Sequence, residues 1–204
     1  MKLTRWQTLL GDLGLESDDD EFHKLFGAYG EAHRHYHTRA HIEDCLEQFD
    51  RVRVDLEHPA AVEIALWYHD AVYQPRSNSN ELDSVRWAVG FLRNKQADHA
   101  VIERVEQLIM ATLHSATPTL VDARWLVDID LSILGRDERT YSRFERNVRA
   151  EYEWVPLDAF RARRAEILQS FIARERIYSS PFFYERFEAA ARRNLNEAIA
   201  ALRG

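Results

Sequence analysis

Apolar positions recur at three- and four-residue spacing along most of the chain, the period of an amphipathic helix. Leu3, Trp6, Leu9, Leu10 and Leu13 form a first stripe, and Phe22, Leu25, Phe26 and Tyr29 a second. Between them, Ser17-Asp18-Asp19-Asp20 offers an N-cap followed by acids suited to a first helical turn. A third stripe, Ile42, Cys45, Leu46 and Phe49, has Thr38 as its candidate N-cap. Pro59 suits the first turn of a fourth helix, whose residues 61–67 are apolar almost all round, so a central, buried position is predicted for it. Val85, Ala88, Val89 and Leu92 mark the next helix, and Val101, Val105, Leu108, Ile109 and Leu113 another over 98–113. Loops are predicted at 74–80 and 115–119. An apolar run from Trp125 ends at Gly135, a candidate C-cap. Amphipathic helices are predicted over about 137–154, 158–175 and 181–202, with Pro156 and Pro181 as punctuation. The expected fold is all-α. Neither repeats nor a linker divides residues 1–204, so a single domain is expected.

Composition narrows this picture. With 204 residues the chain can bury one sizeable core. Only 7 Gly and 5 Pro occur, which disfavours a turn-rich all-β fold. The single cysteine, Cys45, excludes an internal disulfide framework and is read as a small filler. No apolar run reaches the roughly 18–20 residues of a membrane span, and residues 1–6 lack a signal-peptide pattern. A cytoplasmic protein with no membrane partner is therefore expected. A net charge of −7 argues against general nucleic-acid binding. Of 27 basic residues 24 are Arg, a bias that suits phosphate pairing but also follows from genome composition.

Against this pattern two stretches stand out. Ala65-Leu66-Trp67-Tyr68-His69-Asp70-Ala71-Val72-Tyr73 sets a histidine and an aspartate inside an apolar run. A buried carboxylate needs a cation or a hydrogen-bonding partner. A divalent ion would satisfy both side chains, and a pair capping a buried helix end is the alternative. The run Trp125–Gly135 repeats the anomaly with Asp128 and Asp130, which a helix would point about 200° apart, one inward and one outward. Asp128 is expected to bond a helix terminus. Upstream, residues 31–41 carry four histidines, with His37 just before the third helix and His41 in its first turn.

His41, then His69-Asp70, then Asp130, each on a helix of an all-α chain, resembles the HD superfamily of metal-dependent phosphohydrolases. His37-Thr-Arg-Ala-His41-Ile and Asp130-Leu131-Ser132 are similar to segments of the cyclic-nucleotide phosphodiesterases in that superfamily. Residues 65–73, Asn80-Glu81, 128–135, Val148-Arg149-Ala-Glu151-Tyr152 and Ala191-Arg192-Arg193-Asn194-Leu195 resemble an uncharacterised bacterial branch. Ser79 departs from that branch, which tends to place an acid there.

The resemblance implies an HD-type helical domain, with a metal-site core at about 30–135 and further C-terminal helices on it. It implies His41, His69, Asp70 and Asp130 as ligands to one ion, with a second ion less favoured by Ser79. The donors suit Mn, Fe, Co, Ni or Zn, and Mg less well because of the imidazoles. Asp70 thus belongs to both the ligands and the catalytic group. A bound ion would acidify water for attack on phosphorus. His37 would act as general acid, or else lie outside the site, and Glu81 would take a proton or hold a ligand, or else serve as a first-turn helix acid. His114, Arg149 and Arg192 would contact substrate phosphate, and helix capping or surface ion pairs are their alternatives. The implied function is hydrolysis of a small phosphate ester, such as a nucleotide. A di-iron oxygenase or a non-catalytic metal- or nucleotide-binding module are the competing readings.

Overall fold

The structure is a computed structural model that describes residues 1–114 and 118–204. These residues form ten α-helices and short 3₁₀ turns, with no strand among them. The fold is all-α. The chain resolves into two compact units, Met1–Val127 and Asp128–Gly204.

The first unit contains α1 (Leu3–Asp12), α2 (Asp19–Ala28), α3 (Arg39–Val52), α4 (Pro59–Tyr68), α5 (Asn80–Asn94), α6 (His99–Met110) and most of α7 (Val121–Asp130). Asp18 N-caps α2 by accepting the Glu21 N–H, with acids at 19, 20 and 21 in the first turn. Thr38 occupies the N-cap position of α3 but makes no side-chain cap bond. Pro59 begins α4, where its missing N–H costs nothing.

Helix α4 is the axis of this unit, and every residue from Ala61 to Tyr68 is buried. It packs against α1, α3, α5 and α6. Trp67 meets Trp6 edge-to-face at 5.4 Å, and Trp6 reaches Phe91 at 5.7 Å. Two acids lie within this core on structural duty. Glu21 accepts from the Tyr68 hydroxyl at 2.8 Å and from Trp87 Nε1 at 2.6 Å. Glu63 accepts from Arg5 at 2.7 Å. Asp122, near the start of α7, accepts the backbone N–H groups of Glu57 and His58, both at 2.9 Å. That bond pins the start of α7 beside the start of α4.

The second unit contains a 3₁₀ turn (Leu131–Gly135), α8 (Glu138–Glu151), α9 (Leu157–Ile172) and α10 (Pro181–Arg203). Helix α10 packs on α9 and on the 3₁₀ turn. Gly135 ends that turn with its Cα against the Phe187 backbone, where any Cβ would collide. The expected glycine stop is therefore a close approach between backbones. Asp128 has no exposed surface and accepts from Ser179 N–H at 2.9 Å and Ser180 N–H at 2.7 Å. It thereby holds the entry to α10, a helix-terminus bond of the expected kind. Burial pushes its carboxyl up to about 6, despite those two bonds.

Candidate metal centre

Helix α4 stops at Tyr68, and the next two residues are the His-Asp pair. His69 keeps helical dihedrals (φ −55°, ψ −36°), so its side chain and that of Asp70 diverge by roughly 100° and can share an ion only in the space between them. His69 is 1 % exposed, and its Nδ1 faces the Leu66 carbonyl at 2.8 Å. A nitrogen facing a carbonyl must carry the proton, so Nε2 keeps its lone pair. Nε2 lies 3.1 Å from Asp70 Oδ2 and 3.1 Å from Nε2 of His41. His41, in the first turn of α3 and 6 % exposed, sets the same nitrogen 3.4 Å from Asp70 Oδ2. Three donor atoms from two elements thus form a triangle with sides of 3.1–3.4 Å.

Such a triangle matches one face of a coordination shell. Nitrogen and oxygen donors about 2.0–2.2 Å from a divalent ion, at tetrahedral to octahedral angles, sit about 2.9–3.4 Å apart. Asp130 ends α7, the helix that begins beside α4. One donor atom each from His41, Cys45 and His69, all in the first unit, lie within 4.8 Å of one another, and this group could hold a metal ion. Burial alone would raise the Asp70 carboxyl. In the metal-free chain, where these rings can take up a proton, attraction to His69 and His37 and hydrogen bonding with His41 and His69 outweigh burial and hold Asp70 well below the usual carboxylate range.

Two residues of this centre escaped the sequence reading. Cys45 is buried one helical turn past His41, and its Sγ lies 3.7 Å from His41 Nε2. The His-x-x-x-Cys spacing on a helix was its signal. Arg34 is the second. Its side chain has no exposed surface. It donates to the carbonyls of Asp70 at 2.6 Å, Ala71 at 2.9 Å and His37 at 3.2 Å. The guanidinium lies between the rings of Tyr29 and Tyr73, 5.1 and 5.6 Å from their centres. One cation therefore bolts the histidine-rich segment to the turn after α4. An arginine among four histidines has no periodic signature, so nothing in the pattern singled it out.

The remaining candidates are placed as follows. The His37 ring stacks on Tyr73 at 4.0 Å, with its centre 6.0 Å from that of His41. His33 sets Nε2 2.7 Å from the Tyr73 carbonyl. Glu81 occupies the first turn of α5. Its neighbour Asn80 exchanges two hydrogen bonds with the Gln74 backbone and closes the 74–80 loop. Ser79 donates to Asp83 at 2.7 Å. His114 follows a 3₁₀ turn in the left-handed region, with φ 52°. Residues 115–117 of the loop expected beyond it lie outside the described residues.

Arg149 and Arg192 were expected at substrate phosphate, and both are engaged within the second unit. Arg149 donates to the Tyr152 and Val155 carbonyls after α8, at 2.6 and 3.0 Å. Arg192 pairs with Glu188 at 2.7 Å and donates to the carbonyls of Ile172, Arg174 and Glu175. Asn194 donates to the Leu134 and Arg136 carbonyls at 2.9 and 2.8 Å. The Arg-Arg-Asn-Leu segment is thus a set of clamps on helix ends and on the 3₁₀ turn.

No family model, no curated protein and no solved structure matches the chain. Among the described residues, no helix is long and apolar enough to cross a membrane.

Proposed function

We propose that this chain is a metal-dependent phosphohydrolase of the HD type, acting on a small phosphate ester such as a nucleotide. The observation that carries the reading is the triangle of His41 Nε2, His69 Nε2 and Asp70 Oδ2, with sides of 3.1–3.4 Å. Asp130, by the resemblance of Asp130-Leu131-Ser132, would supply a second carboxylate. Two neutral nitrogens and two carboxylates balance a double positive charge and leave positions open for water and substrate. A divalent ion there supplies Lewis acidity toward phosphoryl oxygen and lowers the pKa of a water bound to it.

The chain's own groups do the rest. His41 and His69 hold their Nε2 lone pairs toward the centre, His69 through the Leu66 carbonyl behind it. His37, partly exposed and stacked on Tyr73, would give a proton to the leaving oxygen. Glu81, in the first turn of α5, would accept a proton from water or hold a ligand.

Protein stripped of metal and reloaded with Mn²⁺ or Co²⁺ is expected to hydrolyse members of a broad phosphomonoester and phosphodiester panel. Asp70→Ala should abolish turnover together with metal binding. His37→Gln should lower kcat by about 10²–10⁴, the usual worth of a general acid, while leaving metal content unchanged. Absence of turnover across the panel with several metals would sink the reading.

A further inference from the structure

Cys45 takes no part in the phosphohydrolase reading, yet it belongs to the same cluster of donors. It is the only cysteine in the chain and is 1 % exposed. Its Sγ lies 3.7 Å from His41 Nε2 and 3.8 Å from His41 Nδ1. Residues four apart on a helix always sit side by side, so nearness to His41 alone would mean little. The informative fact is that Cys45 Sγ also falls within 4.8 Å of a donor of His69, which comes from another element of the same unit.

We propose that Cys45 is itself a ligand to the ion, as a thiolate. With sulfur about 2.3 Å and imidazole nitrogen about 2.0–2.1 Å from a zinc-like ion, nitrogen and sulfur at a tetrahedral angle stand about 3.6 Å apart. Sγ is nearly equidistant from Nε2 and Nδ1 of His41, so the thiol has to swing toward the Nε2 side to share an ion with that nitrogen. On binding, a sulfur–metal bond forms, the S–H bond breaks and the proton leaves to solvent. Imidazole, carboxylate and thiolate together make a softer donor set than the four ligands of the phosphohydrolase reading. They select Zn²⁺ or Co²⁺ over Mg²⁺ and Mn²⁺. The inference rests on the metal centre proposed above and names its preferred cofactor.

The test is a titration of metal-free protein with Co²⁺, followed by absorption. A sulfur-to-cobalt charge-transfer band in the near ultraviolet should grow to one equivalent. With one cysteine in the chain, such a band reports Cys45 without any variant having to fold. Cys45→Ser should lose the band and retain the visible cobalt absorption of the remaining donors. It should also bind Zn²⁺ at least about ten- to hundredfold more weakly, the range that loss of even an outer partner costs. Stoichiometric Co²⁺ binding that His69→Ala abolishes, but with no charge-transfer band, would overturn the role of Cys45 and leave the metal centre standing. No Co²⁺ binding at all would remove the centre and the thiolate with it.

Discussion

At the scale of single residues, Arg34 is the least expected contributor. It carries a full charge with no side-chain exposure, pairs with Glu31 at 2.9 Å and donates to three carbonyls around the candidate centre. Truncation would leave those carbonyls unsatisfied, and each buried unpaired group costs about 1–3 kcal/mol. Arg34→Ala is therefore expected to lower unfolding free energy by about 3 kcal/mol in urea titrations. Because Asp70 and His37 are the residues held, the variant should also bind Co²⁺ about ten- to hundredfold more weakly. Arg34→Lys should recover part of the stability and less of the affinity, since an ammonium cannot span three carbonyls as a planar fork does. Equal losses in stability with unchanged metal affinity would show that Arg34 serves packing alone.

At the scale of elements, the informative case is the turn from α7 into the 3₁₀ segment and the entry to α10. Asp128 holds the Ser179 and Ser180 N–H groups, and burial raises its carboxyl to about 6 from an ordinary 3.8. A group whose folded pKa is raised binds its proton more tightly in the folded state. Its contribution is therefore fully present below about 4 and is lost as pH rises toward 6. A shift of about two units corresponds to about 3 kcal/mol. Asp128→Asn cannot titrate. The stability of the natural chain relative to that variant should therefore fall by about 3 kcal/mol between pH 4 and pH 7, measured by denaturant unfolding of metal-free protein. A difference that stays flat with pH would mean that Asp128 remains ionised in the fold.

At the scale of the whole molecule, a centre built from α3 and the turn after α4 should couple metal binding to folding. An ion that binds only the folded chain stabilises it by about 2.7 kcal/mol at a hundredfold excess over its Kd. Co²⁺ or Zn²⁺ should therefore raise the Tm by several degrees, a chelator should reverse the rise, and His69→Ala should show neither effect. A Tm that ignores every divalent ion would count against both the centre and the function built on it.

What could be read from the amino-acid order was whatever local spacing encodes. Helical periods predicted the all-α class, Pro59 and Pro181 marked helix starts that the structure confirms, and an apolar run around His69-Asp70 signalled polar groups in need of partners. Spacing along one element cannot report which distant elements meet it. Cys45 looked like filler until α3 was set beside the end of α4. Arg34 showed no period because its acceptors are carbonyls, which every residue type supplies alike. Arg149 and Arg192 looked available to a phosphate because a sequence does not show which helix ends lie within a guanidinium's reach. Side-chain pattern selects the helices and the face each one buries. Convergence of donors depends on helix lengths and on pins such as Asp122 at the start of α4, and those distances exist only once the chain has packed.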